Sequence, residues 1–268
     1  MSNLATRMNS ARVFFIGGLM SYRALFRWQN PTFYIPTMLG HPLFQVLFFA
    51  YLGRFSGVRN DAFYVVGNAV QVSAMAGVYG VAMTVGGERW TQTLAPLLAT
   101  PANRMALFLG RALPLIVNGF VVSAFGFLVG RLLLDFHPPL SSLPGLAVVV
   151  LISTASCTGF GLVVGAFGLR LRDVFTFSNP AYFLMLLFCG VNVPVSALPH
   201  WMQVVGSGMP LTHGIAAARE IAAGASLGAV SALLWKEALI GACYFLAAYV
   251  LLRVFEAEGR RRASLELV

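Results

Sequence analysis

Two uncharged runs of this chain, residues 62–87 and 112–130, stand on either side of a polar, charge-bearing segment. Each is close to the roughly 20 apolar residues that a helix needs to cross a bilayer. Inside hydrocarbon the backbone must satisfy its own N–H and C=O groups, which long apolar runs achieve as helices. Composition agrees. The chain is 58% hydrophobic and only 10% charged, against about 25% charged in a soluble domain, and its mean hydropathy is +0.79. There is too little polar surface to coat a water-soluble globule, so the sequence predicts one all-α integral membrane domain.

Hydropathy and breakers divide the chain into six spans, at residues 32–53, 62–85, 105–133, 143–169, 174–195 and 235–252. Ahead of them, residues 11–28 are too charged to span. At about 100° per residue Arg12, Arg23 and Arg27 share one face, which predicts an interfacial amphipathic helix. Val13 to Met20 is apolar but short and is followed by Arg23 and Arg27, not by a small-residue cleavage site, so no removable signal is expected. Pro36, Gly40 and Pro42 predict a kink in the first span, which also holds His41. Gly161 and Gly165 form a GxxxG in the fourth span, compatible with a subunit contact or with packing inside one bundle. The region 194–227 is too broken by Pro194, Pro199 and Pro210 to span, yet too apolar for an ordinary loop. It reads as short helices re-entering the membrane from outside. Trp235 and Lys236 read as interface anchors, and residues 253–268 as a tail. Cys157, Cys189 and Cys243 all lie in apolar runs without metal-ligand spacing and read as small buried hydrophobes.

The net charge of +9 and pI of 10.1 do not point to nucleic acid, because the basic residues are dispersed between apolar runs. Six spans put both termini on one side. Of the 18 basic residues, that side receives Arg7, Arg12, Arg23, Arg27, Arg89, Arg104, Arg111, Arg170, Arg172, Arg253, Arg260, Arg261 and Arg262. The other side receives Arg54, Arg59, Arg131, Arg219 and Lys236. The positive-inside rule then places both termini, residues 87–104 and the turn at 170–173 in the cytoplasm, and 194–227 outside.

The missing chemistry narrows the function. A phosphate-binding loop needs Gly-Lys-Ser/Thr, and the single lysine lies in Trp235-Lys236-Glu237. Asp61, Asp135 and Asp173 sit at separate loops and make no acid cluster for a metal and a diphosphate. Mid-span positions offer His41 as the main titratable group for an ion-coupled carrier. No catalytic centre, cofactor site or metal site is expected in this chain. Glu88, Arg89 and Trp90 begin a helix-compatible turn bounded by Pro96 and Pro101, readable as a lever between two spans or as an ordinary solvated loop.

Two motifs carry a family resemblance. Glu88-Arg89, Thr93-Leu94, Leu97-Leu98-Ala99-Thr100-Pro101, Arg104 and Gly110-Arg111 resemble the loop after the second span in type-2 ABC exporter permeases. Pro194, Ser196, Leu198, Pro199 and Trp201, followed by Pro210-Leu211-Thr212-His213, resemble that family's external segment before the last span. The resemblance implies a half-transporter: two permease subunits pair as a homodimer or heterodimer, and two copies of a separate ATPase subunit bind ATP and Mg. It implies that residues 87–104 form a coupling helix seated on the ATPase through Glu88, Arg89, Trp90, Thr93, Leu94 and Arg104. Arg23, Arg27, Arg170, Arg172 and Asp173 would add cytoplasmic contacts. It further implies a drug-like, lipid-like or lipid-linked substrate moving between the two permeases. Phe175, Phe177, Tyr182, Phe183 and Phe188 either line that path or face lipid and core. Gln92 and Ala95 stand where the family commonly has glycine and an acid, which points to altered ATPase pairing. The readings from other classes are an intramembrane enzyme acting on lipid-linked substrates and an ion-coupled carrier.

Overall fold

The computed structural model describes residues 12, 14–20, 35–57, 61–86, 104–170 and 174–262 of the chain. The described residues are helical with short connections. A π-helical turn at Ile35–Leu39 leads into α1 (Gly40–Phe55). α2 runs as Asp61–Ala74, passes through a π-helical stretch at Met75–Gly80 and resumes at Val81–Gly86. α3 is Arg104–Leu133, α4 is Leu143–Arg170 and α5 is Phe175–Phe188. Two short helices follow, α6 (His200–Ser207) and α7 (Thr212–Ala222), and then α8 (Ser231–Arg262).

Among the described residues, four helices are long and apolar enough to cross a membrane: Asp61–Val85, Leu107–Leu133, Leu140–Gly168 and Ser231–Phe255. Burial ranks them. The α2 span is 83% buried within the chain and the α8 span only 11%. α2 is therefore the central post of the bundle, and α8 lies on its outside, held mainly along α4.

Small residues bring α2 and α4 together. A Cβ on Gly161 would collide with the backbone oxygen of Gly77, and one on Gly165 would stand 2.9 Å from Val85. Of the two readings of this GxxxG, packing inside one bundle is what the structure displays. Close helix contact through small residues is the usual solution where the hydrophobic effect between helices is absent.

Several boundaries differ from the sequence reading. The helix expected over 174–195 stops at Phe188, because Gly190 adopts a left-handed conformation (φ +75) and ends the helix. At 14 residues α5 is about 21 Å long, shorter than the roughly 30 Å hydrocarbon core. The expected tail at 253–268 is helical as far as Arg262, since α8 continues past its apolar part. The first span begins as a π-helix and turns into an α-helix at Gly40, where the kink was expected. Cys157 and Cys189 are buried as expected, whereas Cys243 is exposed on α8.

The N-terminal segment is described only at Arg12 and residues 14–20, which are helical. It lies on the start of α3: a Cβ on Gly18 would stand 2.9 Å from the Gly110 oxygen, and one on Gly17 would stand 3.2 Å from the Leu107 side chain. Phe15, Leu19 and Met20 remain exposed. At the opposite end of the bundle Arg54 closes the short link from α1 to α2, with Nε donating to both carboxylate oxygens of Asp61 at 3.0 and 2.9 Å.

Candidate functional site

Two polar constructions stand out in this apolar bundle. The first fastens the segment that precedes α8. α7 begins at Thr212 without a side-chain cap of its own, and the preceding Leu211 holds a left-handed conformation (φ +81) that is unusual for leucine. Orphan N–H groups at a helix start need acceptors. Here the acceptor arrives from α8. Glu237, fully buried, takes the Leu211 N–H on Oε1 at 2.8 Å and the Gly214 N–H on Oε2 at 3.1 Å. A side chain at Gly214 would run into Ser153 on α4, so glycine lets α7 approach both neighbours at once. The carboxylate also sits at the positive end of the α7 dipole.

The far end of α7 is pinned by Arg219. Its Nη2 donates to the carbonyls of Val191 at 2.9 Å and Phe63 at 3.2 Å, and its guanidinium lies 3.6 Å from the centre of the Phe63 ring. Burial pushes the Arg219 pKa down to about 10. The connection between the two ends is tied as well. Cys189 Sγ donates to the Pro210 carbonyl at 3.2 Å, Thr212 Oγ1 to the Gly206 carbonyl at 2.6 Å, and Tyr244 from α8 to the Gly208 carbonyl at 3.1 Å.

The second construction is a belt of amides and phenols across α1, α2 and α5. Tyr182 donates to Gln45 Oε1 at 3.1 Å, and Gln45 Nε2 donates to Asn68 Oδ1 at 3.0 Å. Asn68 Nδ2 donates to the Tyr64 carbonyl at 3.0 Å and to Asn192 Oδ1 at 2.8 Å. Tyr79, 5.5 Å from the Tyr182 ring, donates to Asn179 Oδ1 at 2.8 Å on the exposed side of α5. The belt is not saturated. Gln71 is fully buried beside Tyr182, yet neither its amide oxygen nor its nitrogen makes a hydrogen bond of ordinary geometry. His41 Nδ1 is likewise unpartnered, and its ring lies 6.4 Å from Tyr182.

The residues singled out from sequence fall in different places. Glu88, Arg89, Trp90, Gln92, Thr93, Leu94 and Ala95 lie outside the described residues, as do Arg23, Arg27, Arg172 and Asp173. Arg104 is the first residue of α3 and Arg170 the last of α4. In the motif that begins at Pro194, that proline precedes a 3-10 turn at Val195–Ala197 that contains Ser196, and Pro199, just after Leu198, precedes α6. Trp201 stacks edge-on against Phe188 at 5.8 Å. The α5 aromatics divide: Tyr182 and Phe188 are buried, Phe183 is exposed, and Phe177 stacks on Phe167 at 6.3 Å. Phe175 is partly exposed at the start of the helix. Sequence reasoning passed over Glu237 as a neighbour of the interface anchors and counted Arg219 only as an external charge. An acid inside an apolar run was the available signal for Glu237. For the belt, the signal was Asn68 and Gln71 three positions apart on one helix face. Among the described residues no group of three or more His, Cys, Asp or Glu side chains could hold a metal ion.

The sequence profile of the ABC-2 type transporter family matches residues 16–222, from the N-terminal segment through α7. This chain belongs to that family. Among curated proteins, the probable multidrug ABC transporter permease YbhR of Escherichia coli K12 is 30% identical over 200 residues, covering 71% of this chain and 52% of its own length. Its counterpart in Escherichia coli O157:H7 matches to the same extent. The ABC-2 permease chain thus spans about half the length of the curated relatives it matches. No solved structure matches it. Family membership and the apolar helices together make it a multi-pass membrane protein.

Proposed function

We propose that this chain is the membrane subunit of an ATP-binding-cassette exporter, moving a drug-like or lipid-like substrate out of the cytoplasm or inner leaflet. A separate ATPase subunit, in two copies, hydrolyses the ATP. In this reading the chain makes six passes, with α1 and the short α5 as the first and fifth, and both termini are cytoplasmic in a bacterial inner membrane.

One observation carries the reading. The helices on either side of residues 87–103 are Val81–Gly86 and Arg104–Leu133. One of these completes α2, the most buried span of the bundle. A push on that segment from a nucleotide-binding partner would be delivered straight to the central helix. The N-terminal helical segment against Leu107 and Gly110 adds a second contact beside the same exit.

A second permease copy would cover the α1 face formed by Phe44, Phe48, Tyr51, Leu52 and Phe55. These recur at helical spacing and are all exposed, Phe55 at 91%. The unsaturated belt behind that face supplies a route for an amphipathic molecule, offering amide and phenol groups between apolar walls. Glu237 does not serve an ion-coupled carrier in this arrangement, because both of its oxygens are committed to backbone N–H groups.

Reconstitution with an ABC ATPase subunit that binds this chain tests the proposal. Inside-out vesicles should accumulate a fluorescent amphipathic drug only with ATP, and substituting the phosphate-binding lysine of the ATPase should stop it. Equal transport without nucleotide would contradict the reading.

A further inference from the structure

A cleft of about 260 Å3 runs along α3 and α4 close to the connection that joins them, on a side of the bundle built without α1, α2 or α5. We propose that it holds one acyl chain of an anionic phospholipid, with Arg131 on the lipid phosphate.

The cleft is a consequence of how α3 ends. Asp135 takes a left-handed conformation (φ +52), and the N–H groups of Leu134 and Phe136 both return to the Gly130 carbonyl, at 3.1 and 3.2 Å. That reversal folds Phe136 back until it is buried and stacked on Phe127 at 6.3 Å. The two rings form one wall, and Leu146 and Ala147 of α4 form the facing one. Leu128 and Leu143 also line the cleft and are 47% and 44% exposed, so its lining reaches the surface of the bundle.

Length, volume and charge select the occupant. Phe120 and Arg131 both line the cleft, and their eleven-residue separation is about 16 Å along a helix, half of the roughly 30 Å hydrocarbon core. That is the depth of one leaflet. The volume falls below the roughly 300–1,000 Å3 of pockets that enclose drug-sized ligands, so the cleft fits a single chain and not a multi-ring molecule. Arg131 is the one charged residue of the lining, two positions from the end of α3, where phosphate groups lie. It is exposed and forms no ion pair among the described residues. A guanidinium at the head of an apolar slot complements a phosphate at the head of a hydrocarbon chain, and arginine recognises phosphate with paired N–H donors.

The test uses the purified, delipidated full chain in a neutral detergent. Binding of phosphatidylglycerol and of phosphatidylcholine with the same acyl chains is followed by native mass spectrometry. Wild type should retain phosphatidylglycerol at least about tenfold better than phosphatidylcholine. Arg131→Gln should abolish that preference, Arg131→Lys should keep part of it, and Ala147→Phe should lower binding of both lipids by filling the slot. Excess glycerol phosphate, which has the headgroup charge but no chain, should not displace the lipid. Unchanged phosphatidylglycerol retention in Arg131→Gln would overturn the proposal even if Ala147→Phe failed to fold. Displacement by glycerol phosphate would overturn it too, by assigning the site to a free phosphate.

Discussion

The Glu237 end of the first polar construction and the belt face opposite demands, while at the far end of α7 Arg219 Nε is buried without a hydrogen-bond partner. At Glu237 every strong acceptor meets a donor: two carboxylate oxygens, two backbone N–H groups, and a glycine that clears the approach. Along the belt some groups are paired and others are left over: neither amide atom of buried Gln71 makes a hydrogen bond of ordinary geometry, and His41 Nδ1 has no partner. A buried polar contact is stable when complete and costly when incomplete. The clamp therefore reads as scaffold, fixing α7 against α8, while the belt reads as a place where partners are exchanged. In the proposed exporter the two would do different work: a rigid anchor for α7, and an interior whose hydrogen bonds have alternatives.

Three substitutions put this contrast to the test. The largest effect is expected for Glu237→Ala, which strands the N–H groups of Leu211 and Gly214 in the interior at roughly 1–3 kcal/mol each. The measurement is thermal unfolding in detergent. The midpoint should fall by about 5–15 °C, using roughly 2–4 °C per kcal/mol for a chain of this size. An unshifted midpoint would mean that the clamp is not a scaffold.

Asn68→Leu should cost less, about 1–2 kcal/mol, because Gln45 and Asn192 are only part-buried and can take other partners. Its transport rate should nevertheless fall several-fold in a vesicle efflux assay, at a melting temperature within a few degrees of wild type. If Asn68→Leu destabilises as strongly as Glu237→Ala, the distinction between scaffold and belt collapses. Arg219→Lys should have the smallest effect, about 0.5–1 kcal/mol, since the charge stays while the planar stacking on Phe63 is lost. A loss equal to that of Glu237→Ala would shift the anchoring of α7 from its start to its end.

How far the sequence carried the account depends on the range of the forces involved. The spans at α2, α3 and α4 were legible because apolar length is a local property, and a helix is the local answer to it. The end of α5 was less so. The long apolar run 174–195 reads as one span, and the left-handed Gly190 that ends the helix carries no local mark to set it apart from the other glycines. The helical continuation of α8 to Arg262 was hidden because charged residues were equated with a tail, although arginine and glutamate are good helix formers. The Glu237 clamp could not be read at all as a contact, since its partners lie 26 and 23 residues earlier, across a helix break. Its hydrophobic neighbours gave only the hint that a lone acid there must be paired. The GxxxG at Gly161 and Gly165 was visible as a motif, and only the position of Gly77 decided what it touches.

The central claim is that work enters this permease through residues 87–104. The direct measurement is substrate-stimulated ATP hydrolysis by the reconstituted permease–ATPase complex, comparing wild type with a Glu88→Ala, Arg89→Ala, Trp90→Ala variant. The account predicts that the variant inserts and folds with an unchanged melting temperature, while substrate stimulation and ATP-dependent transport both fall to background. Normal stimulation and normal transport in that triple variant would contradict it.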